Sequence, residues 1–161
     1  MKKIMIILTA LLIVTLTTNG QNLFFIGENS YPCTETITLK SNAERASDLN
    51  VLFAKDGKTG LIAVSTEANR NEQFSENLII YLEDGVVITC RERGTYEYVD
   101  SFARAVYYLT RDQLNKIKIS NIHTIRYTIE LRNEERLLYE NNWSASNRGI
   151  STKTITNNFY D

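Results

Sequence analysis

Ten consecutive residues, Arg91-Glu-Arg-Gly-Thr-Tyr-Glu-Tyr-Val-Asp100, carry the densest recognition chemistry in this chain. They hold two arginines, two tyrosines and three carboxylates, hinged at Gly94. Arg and Tyr are enriched at binding hot spots because each covers a wide area and keeps a polar tip. Arg91, Arg93, Tyr96, Tyr98 and Asp100 are therefore the candidate binding residues, for a protein or cell-surface partner. The competing account is structural: Tyr96 and Tyr98 pack on one face of a strand, and the Arg–Glu neighbours make a solvated edge.

Catalytic chemistry has less to stand on. His123 is the only histidine, and acid–base work needs partners that converge on it in space. Between Ile122 and Thr124 it reads as a polar residue at the start of a strand. No nucleophile elbow, phosphate loop, zinc-protease helix or calcium loop occurs, and no cofactor or metal is expected. The carboxylate pairs Glu83/Asp84, Glu92/Asp100 and Glu134/Glu135 would make a hydrolase site only if distant strands brought two of them together. Asn142-Trp143-Ser144 fits the N-glycosylation pattern, which a bacterial type of export signal makes a coincidence. Cys33 and Cys90 are a candidate disulfide in an oxidising compartment, or two small buried hydrophobes.

The elements that must position these groups are mostly strands. Apolar and polar residues alternate over 34–40, and Asp56-Gly57 joins 50–55 to 60–65 as a hairpin. A strict two-residue loop there sets Lys55 against Lys58, so a longer loop is an alternative. Residues 67–75 read as a polar connection. Asn77–Glu83, Asp84-Gly85 and Val86–Arg91 repeat the hairpin signal more strongly. A two-residue turn would put Ile79 and Tyr81 on one face with Val86, Ile88 and Cys90, in a central hairpin covered on both sides.

Ala103–Leu109 is a further strand, on which the adjacent Tyr107 and Tyr108 must point to opposite faces. Thr110-Arg-Asp-Gln113 is a capping box opening a short helix, with Leu114 and Ile117 on its apolar side. Lys116 and Lys118 suit its C-terminal end. In 121–131, Ile125, Tyr127, Ile129 and Leu131 face inward, and Thr124, Arg126, Thr128 and Glu130 face water. Leu137–Tyr139 reads as a short strand, Trp143 as an apolar anchor, and 151–159 as either strand or short helix.

Lys2 and Lys3, the apolar run Ile4–Leu16 and the exit Thr17-Thr18-Asn19-Gly20 have the layout of a secretory signal peptide. The cut falls between Gly20 and Gln21, leaving one domain over 21–161 in the periplasm or outside the cell. Eighteen Lys and Arg, less Lys2 and Lys3, against nineteen Asp and Glu leave a mature charge of −3. That balance offers no basic face for nucleic acid, and no second apolar run suggests a membrane span. Oligomeric state is not encoded in any pattern here.

Tyr81-Leu-Glu-Asp-Gly85, Arg93–Asp100, Val106-Tyr-Tyr-Leu-Thr110 and Asn121-Ile-His-Thr-Ile-Arg-Tyr127 together resemble small exported Gram-negative bacterial proteins of unknown function. The resemblance spans residues 77–131. It implies export and an all-β fold, and it carries over no functional residue.

These readings combine into a mainly-β domain, an antiparallel β-sandwich of seven or eight strands with one short α-helix. The alternative is an α+β sheet with the helix packed on one face. For function they give an exported non-catalytic binding module. A small-ligand or glycan binder with a tyrosine row is the alternative, and a hydrolase with a dispersed carboxylate site is the third reading.

Overall fold

A computed structural model describes residues 22–133 and 136–161. The stretch read as an export signal and the Glu134/Glu135 pair lie outside the described residues. Among the described residues, eleven strands and two helices follow one another. A hairpin of β1 (Leu23–Ile26) and β2 (Asn29–Pro32) comes first, then β3 (Ile37–Ser41), β4 (Leu49–Asp56) and β5 (Thr59–Glu67). Next are β6 (Glu72–Leu82), β7 (Val87–Cys90), β8 (Glu92–Val99) and β9 (Phe102–Leu109). Helix α1 (Arg111–Ile119), β10 (Ile122–Asn133), β11 (Arg136–Ser146) and α2 (Thr152–Tyr160) complete the chain.

Nine strands form one antiparallel sheet, in the order β7-β6-β10-β11-β3-β4-β5-β9-β8. Its four-stranded and five-stranded halves meet along a short seam where Ala145 pairs with Ser41 and Ser146 with Lys40, extended by Asn42 N–H donating to the Ser144 carbonyl at 2.9 Å. The sheet is nearly closed, since β6 packs against β8 and β9. One core fills the space between the halves: Phe53, Ile62 and Tyr107 from one, Phe74, Leu78 and Ile125 from the other. The fold is mainly β and sandwich-like, as the alternating segments require. No described helix is long and apolar enough to cross a membrane.

Local chemistry explains the joints. Gly57 takes φ +60°, so β4 turns into β5 through Gly57-Lys58 with Asp56 opposite Thr59. Lys55 then faces Gly60, and the Lys55–Lys58 repulsion does not arise. Helix α1 carries the capping box: the Gln113 amide N–H donates to Thr110 Oγ1 at 3.3 Å, and Thr110 N–H to Gln113 Oε1 at 2.8 Å. The tail is helical rather than extended, and α2 packs on α1. Ile122 N–H donates to Thr152 Oγ1 at 2.8 Å and Tyr160 Oη to the Ala54 carbonyl at 2.8 Å. The two helices therefore stopper one end of the body and leave both sheet faces to other neighbours.

Four expectations need correction. The β6–β7 hairpin is not central, because β7 is an edge strand. Its loop is also one residue longer than a two-residue turn: Tyr81 pairs with Val87 and Leu78 with Cys90, with Gly85 at φ +85°. A type I turn followed by a left-handed Gly has that length, and one residue of slip reverses the facing of the return strand. Leu78, Ile80 and Leu82 thus share the core with Ile88 and Cys90. Third, β6 begins at Glu72 and takes in half of the expected polar connection. Fourth, Thr128 and Glu130 point away from the core and are nonetheless buried, covered by their neighbours in β6 and β11.

The disulfide is not formed. Cys33 and Cys90 are free, buried thiols, in two separate apolar clusters. Burial pushes the Cys90 thiol up to about 12, so it has almost no thiolate at neutral pH. We expect neither thiol to be alkylated in the native protein and both to react after unfolding. Mass spectrometry of iodoacetamide adducts checks this, and a native chain two hydrogens lighter would contradict it.

Candidate functional site

The Arg91–Asp100 segment carries the chain from the edge of one half to the edge of the other. At the crossing the Arg91 carbonyl accepts from Tyr108 N–H at 2.9 Å. Glu92 pairs with Tyr107, and the next pair is Thr95 with Val106, so Arg93 and Gly94 form a bulge with Gly94 at φ +73°. A bulge re-aims the side chains around it. Here it sends Arg93 to the outer face and brings Glu92, Tyr96 and Tyr98 to the inner one.

On the outer face Arg93 has two aromatic neighbours. Its guanidinium carbon lies 5.4 Å from the Tyr31 ring centroid and 5.7 Å from that of Tyr108, and Nη2 donates to Tyr31 Oη at 3.1 Å. Tyr31 belongs to the β1–β2 hairpin, whose Phe24, Ile26 and Tyr31 pack on Ala54, Leu61, Ala63 and Val106 of the five-stranded half. The hairpin also walls a groove of about 280 Å³, floored by Leu52, Ala63 and Val106 and rimmed by Glu97 and Arg104. Phe25 points off the hairpin, 63 % exposed, and Tyr108 is 43 % exposed.

The other candidates are occupied within the wall. Tyr96 Oη donates to the Glu92 carboxylate; burial, and then that carboxylate, push the phenol up, so it stays a proton donor. Tyr98 Oη donates to the Ala68 carbonyl at 3.3 Å. Asp100 and Ser101, at φ +52° and +67°, make the two-residue turn between β8 and β9. The structure therefore does not bring Arg93, Tyr96 and Tyr98 onto one surface. Tyr31, which sequence reasoning missed, and Tyr108 join Arg93 instead, and the equally unforeseen Phe25 stands exposed on the same hairpin as Tyr31. The opposite facing of Tyr107 and Tyr108 was legible, and Tyr108 is the outward one.

A cleft of about 520 Å³ where β6 faces β8 does gather Glu76, Glu92, Glu130 and Glu140 around Arg132. Arg132 Nε donates to Glu130 Oε1 at 2.6 Å, Nη2 to Oε2 at 3.1 Å, and Gln73 Nε2 to Oε1 at 2.8 Å. Arg132, with Gln73, holds the Glu130 carboxyl below its ordinary 4.5. A glycosidase-type general acid needs the opposite shift. Among the described residues no group of three His, Cys, Asp or Glu side chains could hold a metal ion. His123 is exposed, with Nδ1 2.8 Å from the Thr124 hydroxyl.

The Glu130 geometry makes a pH prediction. Its folded pKa is depressed, so below about 4.5 the unfolded chain binds the proton more readily and stability falls as pH drops. Glu130→Gln should lower stability near pH 7, where the ionised carboxylate contributes in full, and approach the wild type at the acid end, so its acid limb is flatter. Urea unfolding from pH 3 to 7 measures it, and parallel curves for the two proteins would refute the assignment.

No known family, curated protein or solved structure matches this chain.

Proposed function

We propose that this chain is an exported, non-catalytic binding module that meets a protein or cell-surface partner through the outer face of its five-stranded half. The observation that carries the reading is the Arg93 guanidinium held between Tyr31 and Tyr108, with the exposed Phe25 on the same hairpin as Tyr31. Arg and aromatic side chains fixed in advance lose little entropy on binding, and such anchors dominate interface energies. Export is supported by the n-region, apolar run and small-residue exit of residues 1–20. A cut before Gln21 leaves every described strand intact, since β1 begins at Leu23.

The test uses the tagged, exported protein captured from its own cells beside a Phe25→Ser/Tyr108→Ser variant. Phe25 is mostly in solvent and Tyr108 is partly so, its loss costing one contact with Arg93 and no core packing. The variant should therefore stay folded, with a melting temperature close to the wild type. A partner held by the wild type and lost by the folded variant supports the module and locates its face. Identical capture by both proteins would sink this assignment. The intact mass of the exported chain, read for a start at Gln21, decides the processing site.

A further inference from the structure

The helices close one end of the nearly closed body, and the other end is open. Between the β3–β4 and β5–β6 loops lies a cavity of about 300 Å³, at the lower end of the range of small-molecule sites. Its walls are mixed. Tyr127 and Trp143 are register partners and give it an aromatic side, while Arg45, Glu67, Asn69 and Asn141 supply planar polar groups.

Two details separate this cavity from a passive gap. The Tyr127 side chain is only 2 % exposed, and its hydroxyl has no hydrogen-bond partner among the described residues. An unpaired buried hydroxyl is destabilising, so its presence at a cavity wall favours a polar occupant. The neighbouring Thr66 hydroxyl spends its proton on the Asp48 carbonyl at 3.1 Å, so it can meet the Tyr127 hydroxyl only as an acceptor and leaves the phenol oxygen's lone pairs without a donor. Second, Arg45 is in no ion pair among the described residues, and Glu67 on the β5–β6 side offsets its charge. Glu72, also in the lining, is engaged by the Asn69 amides and Tyr139.

A site with balanced charge, planar hydrogen-bonding groups and an aromatic wall suits a neutral polyhydroxylated ring. An anion would meet Glu67 and Glu72, and a fully apolar ligand would strand Arg45 and both asparagines. We propose that the open end of the body binds one neutral sugar residue, with its apolar face on Trp143 and its hydroxyls on Arg45, Asn69 and Asn141. The sugar is either a free monosaccharide or the end of a glycan. This site is on a different surface from the Arg93 stack, and the Phe25→Ser/Tyr108→Ser variant should keep it.

Trp143 is the only tryptophan in the chain, so its emission reports directly on this cavity. The mature protein is titrated with neutral hexoses, N-acetylhexosamines and their methyl glycosides, with saturation-transfer NMR as a second readout. We expect a saturable emission change with at least one sugar, and about tenfold weaker binding in Asn141→Ala and in Arg45→Ala, the loss of one good hydrogen bond. Equal binding of a methyl glycoside identifies a glycan end, and preference for the reducing sugar a free monosaccharide. Three results would each overturn the proposal. These are no saturable response by either readout, affinities unmoved by both substitutions, or tighter binding of a zwitterionic amino acid than of any sugar.

Discussion

Gly60→Val should cost about 3 kcal/mol and lower the melting temperature by about 10 °C. Gly60 is buried in β5 with ordinary strand torsions, so backbone strain does not enter. Space does. A Cβ built there lies 2.8 Å from Tyr160 Oη and 2.9 Å from Leu114 Cδ2, closer than real Cβ atoms approach. Leu114 is a core residue of α1, and Tyr160 is tied to the Ala54 carbonyl. Relief therefore means turning the packed Leu114 and Tyr160 side chains aside and giving up that hydrogen bond, worth about 1 kcal/mol. The double cycle is the sharper measurement. In a Tyr160→Phe background the nearest clashing atom is gone, so Gly60→Ala should cost less there than in the wild type. Additive losses would mean that α2 does not seat on Gly60.

The same end of the molecule shows what the sequence made legible. Thr110 and Gln113 announce α1 through side-chain chemistry three residues apart, and β10 announces its inward face through Ile125, Tyr127 and Ile129. Both signals are local and need no knowledge of the partner. The register of β6 on β7 is different, because Asp84-Gly85 fits a two-residue or a three-residue loop equally well. Only the core selects between them, by burying Ile80 rather than Ile79 on the side that Ile88 and Cys90 share, and a one-residue slip would undo that match. Helix α2 was ambiguous for a similar reason: Thr152 and Thr156 are poor helix formers, and their hydroxyls are satisfied by Ile122 and Ile117 across the fold.

The candidate site was half legible. Arg93 stood out by type, and Gly94 inside a strand pattern is itself the mark of a bulge. Taken at full weight, that mark separates Arg93 from Tyr96 and Tyr98. Tyr31 gave no such sign. Its hairpin has four-residue strands, too short for periodicity to speak, and the surface it covers is assembled from β4, β5 and β9.

Removing Arg93 should release that hairpin without unfolding the body. Arg93→Ala deletes a charged hydrogen bond to Tyr31, about 1.5 kcal/mol or more, and a partly exposed cation–aromatic contact with the same ring of about 0.5–1 kcal/mol; its contact with Tyr108 lies within the sheet and does not oppose opening. Together these correspond to about 30-fold or more faster amide exchange by local opening over Leu23–Pro32, with exchange in β5 and β10 unchanged. Lysine should not rescue it, because an ammonium lacks the flat fork that lies against two rings and still donates to a phenol. The counterforce is the burial of Phe24 and Ile26 on Ala54, Leu61, Ala63 and Val106, which Arg93 does not touch. If exchange over Leu23–Pro32 stays at its wild-type rate in Arg93→Ala, that apolar contact alone holds the hairpin, and Arg93 is free to serve the partner. If it rises as expected, the Arg93 stack is what builds the face, and the same substitution should weaken partner capture more than loss of Tyr108 alone, since Tyr31 and Phe25 leave the surface with it.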